Sequence, residues 1–533
     1  MKKYYLVLLS LLSGVLLSIP WLTGTGWWDL LFAFVPLLLV EDFICSNKEQ
    51  HSHIEFLGYS FFSFLTWNLL SCYWIGRAVP FGMIVIVTLN ALLMSTVWWM
   101  FHRMKREFNV SHANISLLAF WLAFEYLHFN WDMEWPWLTL GNGFANQVRL
   151  IQWYEFTGVL GGSLLILVAN LILFNFLKNV LKKQVFQTVV YLFVFCAVIF
   201  ISFTWSNHYY QNYVEIGGKY QVVVLQPNVD PYTEKFGDKQ REKQIATLLE
   251  LTDSLLNKNT ALVIAPETAL PTLIENDSLP TRSSIFQFRE LAKQSKQVSF
   301  VLGANTMKYF NVDEKPSKTG RWDADRNQYF DIYNSALLVN ENPLVQIYHK
   351  GKLVSGVEKM PFSKYFSFIE QYIVDLGGAT GSLGRQDAPT VFTTNSGLKI
   401  APVICFESVF GQYISTNVKN GAELIVMLTN DGWWKGTIGY RQHLAISSLR
   451  AIEIRRSIAR SANTGISALI NQRGDILKKT NYDVKTAISG NLRANEKLTF
   501  YVKYGDYLGR ISAFVAVLLL LYFFVQKRIK VAN

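Results

Sequence analysis

The sequence predicts a two-part chain: a multi-pass α-helical membrane domain, then an α/β domain in which strands and helices alternate. Three observations carry this prediction. Half of the 533 residues (51%) are apolar and only 17% are charged, which gives a positive mean hydropathy. The apolar residues are segregated: long runs fill 1–206, the region 217–500 has a normal globular mixture, and the tail is apolar again. Within 217–500, short apolar runs alternate with stretches whose apolar residues recur at helical spacing, the pattern of buried strands covered by helices.

Stretches of about 18 or more apolar residues are long enough to cross a bilayer. Eight are found, at about 4–22, 28–45, 55–76, 80–101, 113–130, 155–177, 185–205 and 507–525. Lys2 and Lys3 before the first give it the start of a signal peptide. No small-residue cleavage site clearly follows and further spans come at once, so it is read as a retained helix. This divides the chain into a membrane domain (1–206, seven spans), an extramembrane domain (217–500) and an eighth span (507–525). Basic residues set the orientation, because Lys and Arg prefer the cytoplasmic side. Lys2/Lys3, Lys48, the Arg103-Lys105-Arg106 cluster, Lys178/Lys182/Lys183 and Lys527/Arg528/Lys530 fall in alternate gaps. The intervening short gaps hold essentially Arg77 and Arg149. Both termini are therefore expected on the cytoplasmic side and 217–500 on the opposite side. The net charge of +11 follows from this asymmetry, and no nucleic-acid partner is expected.

Six runs in the extramembrane domain read as buried strands: Lys219–Leu225, Ala261–Ala265, Val298–Gly303, Ser335–Val339, Lys399–Cys405 and Glu423–Leu428. Asp238–Asn257, Ile285–Gln294 and Tyr440–Arg455 read as helices. The polar stretch 311–327 reads as a loop, and 355–385 as a longer Gly-, Phe- and Tyr-rich one.

Of four cysteines, Cys45, Cys72 and Cys196 lie in or at the ends of membrane spans. Cys405 is left without a partner in its own domain, so a disulfide is the least favoured reading. Three strand ends carry reactive groups: Glu267 in APETA, Lys350 in YHK with Glu358 eight residues on, and Cys405 followed by Phe406 and Glu407. Groups at the carboxyl ends of strands converge in one crevice. There a carboxylate can serve as base to the thiol, while an ammonium lowers the thiol pKa and stabilises an oxyanion. The residues alone leave both alternatives open: Cys405 as core filler or nucleophile, Glu267 as helix cap or base. No G-x-S-x-G elbow occurs, and His102, His112, His128 and His443 lack metal-ligand spacing, so neither a serine lipase nor a metal site is expected. Gly378–Gly384 lacks phosphate-loop spacing and is read as loop flexibility.

The segments PETALP, YHKGKL and CFE, in that order, resemble the nitrilase (carbon–nitrogen hydrolase) superfamily with its Glu-Lys-Cys triad. LTNDG at 428–432, Trp433-Trp434 and the segment 442–474 fit it as well. A nitrilase-like domain set between seven spans and one is similar to the apolipoprotein N-acyltransferase family, whose membrane pattern matches Glu125, Trp135-Pro136-Trp137 and Gly158–Ser163. The resemblance implies an α-β-β-α sandwich, with Glu267 as general base, Lys350 as oxyanion stabiliser and Cys405 as acyl-accepting nucleophile. It implies that Glu358 orients Lys350, that backbone N–H groups around Phe406 help bind the oxyanion, and that Glu407 is the acidic residue after the nucleophile. Phe236, Phe362, Tyr365, Phe366, Trp433 and Trp434 are expected at a lipid entrance or, alternatively, as packing aromatics. Phe406 stands where many members have Tyr, and Ala265 where Trp is common.

The implied reaction is ping-pong acyl transfer without a cofactor. The donor is a membrane phospholipid, a Cys thioester is the intermediate, and the acceptor is the α-amino group of the diacylglyceryl-cysteine that begins an apolipoprotein. The implied location is the bacterial inner membrane, with the catalytic domain on the periplasmic side. Two other readings compete: a membrane-tethered amide hydrolase using the same triad, and a transporter or scaffold with an inactive outer domain. Eight spans where one would tether disfavour the first, and an intact triad disfavours the second.

Overall fold

The computed structural model describes residues 2–108, 110–233, 238–276, 279–295, 297–311, 313–362 and 382–532. They divide into two compact units: Met1–Trp131 with Trp135–Asn212 and Tyr504–Asn533, and Tyr213–Lys503 with Asp132–Glu134.

The first unit is helical. Lys3–Thr23, Pro80–Glu107, Val159–Leu181, Val185–Asn212 and Tyr507–Ile529 are helices long and apolar enough to cross a membrane. His53–Cys72 and Val110–Asn130 are long enough, at 20 and 21 residues, but more polar. The expected continuous span at 28–45 is divided. Trp27–Leu31 forms a 3-10 turn and Val35–Ser46 a separate 12-residue helix. Pro36 sits in the first turn of that helix, where its missing N–H costs nothing but where no helix can continue into it from Leu31. Similarly, the expected span at 155–177 begins only at Val159. Gly158 precedes it at φ 62° and ψ −171°, a conformation open to glycine. The carboxylates Glu41, Asp42 and Glu125 have donors, as low-dielectric surroundings favour. Glu41 accepts from His102 Nδ1 at 2.8 Å and from Lys105, while Asp42 accepts from Lys105 and Lys178. Glu125 Oε1 accepts from Trp121 Nε1 (2.9 Å) and the Leu140 N–H (2.8 Å).

The second unit is a four-layer α-β-β-α sandwich. Its strands are β1 (Lys219–Gln226), β2 (Thr260–Ile264), β3 (Leu270–Ile274), β4 (Ser299–Tyr309), β5 (Arg321–Asp323), β6 (Gln328–Val339) and β7 (Gln346–His349). They continue with β8 (Phe392–Thr393), β9 (Lys399–Ile404), β10 (Leu424–Thr429), β11 (Ile458–Ala462), β12 (Ala468–Ile470), β13 (Ile476–Lys479) and β14 (Thr486–Arg493). One sheet runs β14-β1-β2-β4-β6-β5, with β3 added to β4 and β7 to β6; the other runs β13-β12-β11-β10-β9-β8. β1, β2 and β4 are parallel, as are β9, β10 and β11.

Alternation along the strands makes the layers, since successive side chains point to opposite faces. Val222, Val224, Leu262 and Ile264 meet Ile400, Ile404, Val426 and Leu428 between the sheets. Val223, Leu225, Val263 and Phe300 face the helices Asp238–Asp253 and Ser283–Gln294. Ala401, Val403, Ile425 and Met427 face Gly411–Lys419 and Gly439–Ile454. Both faces of each sheet are covered, which is why these strands read as continuous apolar runs. Each fully buried Val, Leu or Ile contributes roughly 1.5–3 kcal/mol. The stretch expected as a loop at 311–327 contains β5. The expected strands and helices are otherwise present with ends displaced by a few residues, except that β4 and β6 extend well past the runs that announced them.

Candidate active site

The register of the first sheet places two of the three reactive groups. β2 and β3 both pair with the same edge of β4, β2 at Ser299–Val301 and β3 at Ala304–Met307. The chain must leave that edge at Ala265 and return at Leu270, and Glu267 stands in this excursion. Gly303, opposite it on β4, permits the close approach: a Cβ there would lie 2.2 Å from the Pro266 carbonyl oxygen and 2.8 Å from Glu267 Cα. β7 pairs antiparallel with β6 so that Ser335 faces His349. Lys350 follows, its N–H donating to the Asn334 carbonyl at 2.8 Å.

These side chains converge. Lys350 Nζ lies 3.2 Å from Glu267 Oε1 and 2.9 Å from Glu358 Oε1. Asn334 Nδ2 donates to both carboxylates, at 2.7 and 3.2 Å, and Glu358 Oε2 takes the Val354 N–H at 2.9 Å. Lys350 is 1% exposed. Burial works against its charge, but Glu267 and Glu358 prevail and raise its pKa above the ordinary lysine value. It is a fixed cation, not a base. Asn334 drew no attention in the sequence; only the β6–β7 pairing reveals that it stands beside Lys350.

Cys405 follows β9 and opens the 3-10 turn Cys405–Val409 with φ +49°. For a non-glycine residue this left-handed backbone costs on the order of 1–2 kcal/mol. Thr268, next to Glu267, is also left-handed at φ +48°. The Cys405 thiol is free. Burial, then the Glu267 charge, push its pKa well above the usual thiol value; Lys350 opposes them.

Glu407 is fully buried. Its carboxylate accepts the N–H groups of Ile404 (2.6 Å), Gly351 (2.7 Å) and Lys352 (3.3 Å) and the Tyr348 hydroxyl. It thereby pins the turn of Cys405 to residues on both sides of Lys350. Phe406 is buried, packed edge-on against Phe410 with centroids 5.2 Å apart.

The described entrance aromatics have different partners. The Trp433 ring meets Tyr232 at 5.2 Å and its carbonyl accepts the Tyr232 hydroxyl. Trp434 packs edge-on against His443 at 5.6 Å. Phe362 donates its N–H to the Asp132 carboxylate. Phe236, Tyr365 and Phe366 lie outside the described residues. A small cleft reaches Glu267, lined also by Pro227, Val229, Leu248, Ala269 and Asn463.

Residues 223–496 match the carbon-nitrogen hydrolase family, and residues 13–172 match the apolipoprotein N-acyltransferase N-terminal domain. The chain belongs to the apolipoprotein N-acyltransferase family of carbon–nitrogen hydrolases. Relatives of that name extend over nearly all of it. The apolipoprotein N-acyltransferase of Chlorobaculum tepidum is 29% identical over 98% of this chain and 97% of its own length. That of Geobacter metallireducens is 27% identical over 94% and 91%, and that of Thermotoga maritima 27% identical over 96% and 92%. Membership in this acyltransferase family makes the protein an enzyme of lipoprotein maturation and a membrane protein. The Glu267–Lys350–Glu358 cluster and the free Cys405 thiol lie within the matched hydrolase segment.

Proposed function

We propose that the protein transfers a fatty acyl chain from a membrane phospholipid to the α-amino group of a diacylated apolipoprotein, through a thioester on Cys405. The observation that carries this reading is the buried Lys350 held between Glu267 and Glu358, acting on a free thiol with a raised pKa. Such a thiol is unreactive at rest, so its proton must leave as the sulfur attacks. Glu267 takes that proton as Cys405 Sγ adds to the ester carbonyl. The oxygen becomes anionic and is stabilised by Lys350, with backbone N–H groups around Phe406. Collapse breaks the ester bond, the lysophospholipid alkoxide takes the proton from Glu267, and the thioester remains. The acceptor's uncharged α-amino group then attacks the thioester, giving its proton to Glu267. The C–S bond breaks, the proton returns to sulfur, and an amide is formed.

The membrane topology fits both substrates, whose acyl chains hold them in the bilayer at about 0.8 kcal/mol per buried CH₂. In this reading the chain crosses eight times, with both termini cytoplasmic and the sandwich on the periplasmic side of the inner membrane. His53–Cys72 and Val110–Asn130 cross with the five apolar helices. The divided stretch crosses in two parts: a 3-10 turn of about 10 Å and a helix of about 18 Å together approach the ~30 Å hydrocarbon thickness. Trp433, Trp434 and Phe362 lie near where lipid enters.

Incubation of the purified protein with phospholipid labelled in its acyl chain tests the mechanism. A hydroxylamine-sensitive adduct is expected on the wild type and none on Cys405→Ala. Persistence of the adduct in Cys405→Ala would overturn the assignment. Addition of a diacylated lipopeptide should move the label to its amino group; release as free fatty acid instead would mark a hydrolase.

A further inference from the structure

We infer that His443, braced by the Asp431–Arg460 ion pair, is a positioning residue that grips the Cys405 carbonyl and holds the nucleophile in its left-handed turn. This rests on Cys405 being the nucleophile. Four elements meet behind that residue. Ser408, in the same turn, donates its hydroxyl to the Cys405 carbonyl at 2.8 Å. His443, from the helix Gly439–Ile454, places Nε2 3.2 Å from the same oxygen and 2.8 Å from Ser408 Oγ. Its Nδ1 lies 3.0 Å from Asp431 Oδ1, just beyond β10. Arg460 on β11 reaches Asp431 Oδ2 at 2.6 Å and His443 Nδ1 at 3.2 Å. Thr429 adds a hydrogen bond to Asp431 Oδ1 at 2.9 Å.

All of these groups are buried: His443 and Ser408 are 1% exposed, Asp431 and Arg460 not at all. A buried ion pair adds little to net stability over apolar side chains of the same shape, because desolvation offsets its attraction. This set instead converges on the carbonyl of one residue, and that residue has a backbone conformation few side chains adopt. A peptide free to relax from φ +49° would swing Cβ and Sγ away from Glu267 and Lys350. Trp434 adds an edge contact to the His443 ring, with centroids 5.6 Å apart. QHLA and SIARSA carry His443 and Arg460, but nothing in their sequence shows that the two meet behind Cys405.

Single-turnover acylation of His443→Leu, His443→Gln and Ser408→Ala by labelled phospholipid tests the inference. A displacement of the nucleophile by about 1 Å costs on the order of 10²-fold in rate. His443→Leu should therefore acylate on the order of 10²-fold more slowly at saturating phospholipid, with the half-saturating concentration unchanged. His443→Gln, whose amide can donate to the same carbonyl, should recover most of that loss. Ser408→Ala, which removes the second donor with little change in volume, should fall about tenfold and settles the matter should His443→Leu not fold. Wild-type rates in His443→Leu or Ser408→Ala would overturn the inference. So would equal losses in His443→Leu and His443→Gln, or a loss confined to half-saturation. Absence of any adduct on the wild type would instead overturn the nucleophile assignment itself.

Discussion

Replacing Lys350 by Met removes one charge and keeps nearly the same volume, so its effect isolates electrostatics from packing. In the wild type, Lys350 Nζ stands 3.2 Å from Glu267 and 2.9 Å from Glu358, and Asn334 bridges the same two oxygens. Without the ammonium, two buried carboxylates that both accept from the Asn334 amide have no cation between them and repel each other. Breaking a buried ion pair by removing one partner costs about 3–5 kcal/mol, and about 2 °C of melting temperature accompanies each kcal/mol in a domain of this size. A drop of roughly 6–10 °C near pH 7 is expected. Its pH dependence has a definite sign. The repulsion is between two charges, so the penalty is largest where both carboxylates are ionised. It shrinks as pH falls and protonation of either one relieves the repulsion. Thermal unfolding of both proteins in detergent from pH 7 to pH 4 measures this directly. Melting curves that separate at pH 7 and draw together towards pH 4 are expected, with no acyl adduct at any pH. Equal stability at pH 7, or a deficit constant across the range, would refute the picture of one cation neutralising two buried carboxylates.

Gly303→Ala should slow acylation and destabilise the protein by about 1–3 kcal/mol. Its Cβ would collide with the Pro266 carbonyl and press on the backbone of Glu267; thermal unfolding and single-turnover acylation measure the two effects. His349 supplies a separate acid sensitivity. Burial, then Lys308, push it down from 6.5 to about 4, so it is neutral in the folded protein. Its contribution is complete above pH 6.5 and is lost as pH falls towards 4, a change of about 3 kcal/mol. His349→Asn should flatten the stability curve by that amount in that window, as followed by chemical unfolding at successive pH values.

Much of this was legible in the sequence because strands buried on both faces are written as uninterrupted apolar runs. Such runs end where the chain emerges at the edge of the sheet, so Glu267, Lys350 and Cys405 stood out as polar residues abutting them. What stayed hidden depends on pairing between distant segments. Asn334 lies within the run DIYNSALLV and becomes part of the site only through the register that sets Ser335 against His349. Gly303 looked like the end of a strand, but β4 runs on to Tyr309 because β3 returns to pair with it. The division of 28–45 was concealed because hydropathy averages over a window and Pro36 changes helix geometry without lowering that average. Glu407 follows Cys405, the proposed nucleophile, by two residues. The structure turns it inward, where it satisfies three backbone N–H groups.

The charges around Cys405 also bear on how a lone thiol persists in the oxidising compartment where the proposed topology puts it. The thiolate is both the nucleophile and the species most readily oxidised. Were Lys350 the only charge nearby, the thiolate would be stabilised at rest and exposed to oxidation between turnovers. Glu267 and burial reverse that balance and keep the proton on sulfur, while Lys350 remains charged. In the proposed reaction the ester carbonyl beside Lys350 accepts the sulfur's electrons at the moment Glu267 takes the proton. On the proposed mechanism, the same pairing of carboxylate and ammonium therefore serves two ends: it makes acylation a concerted step, and it leaves the resting enzyme as the less oxidisable thiol.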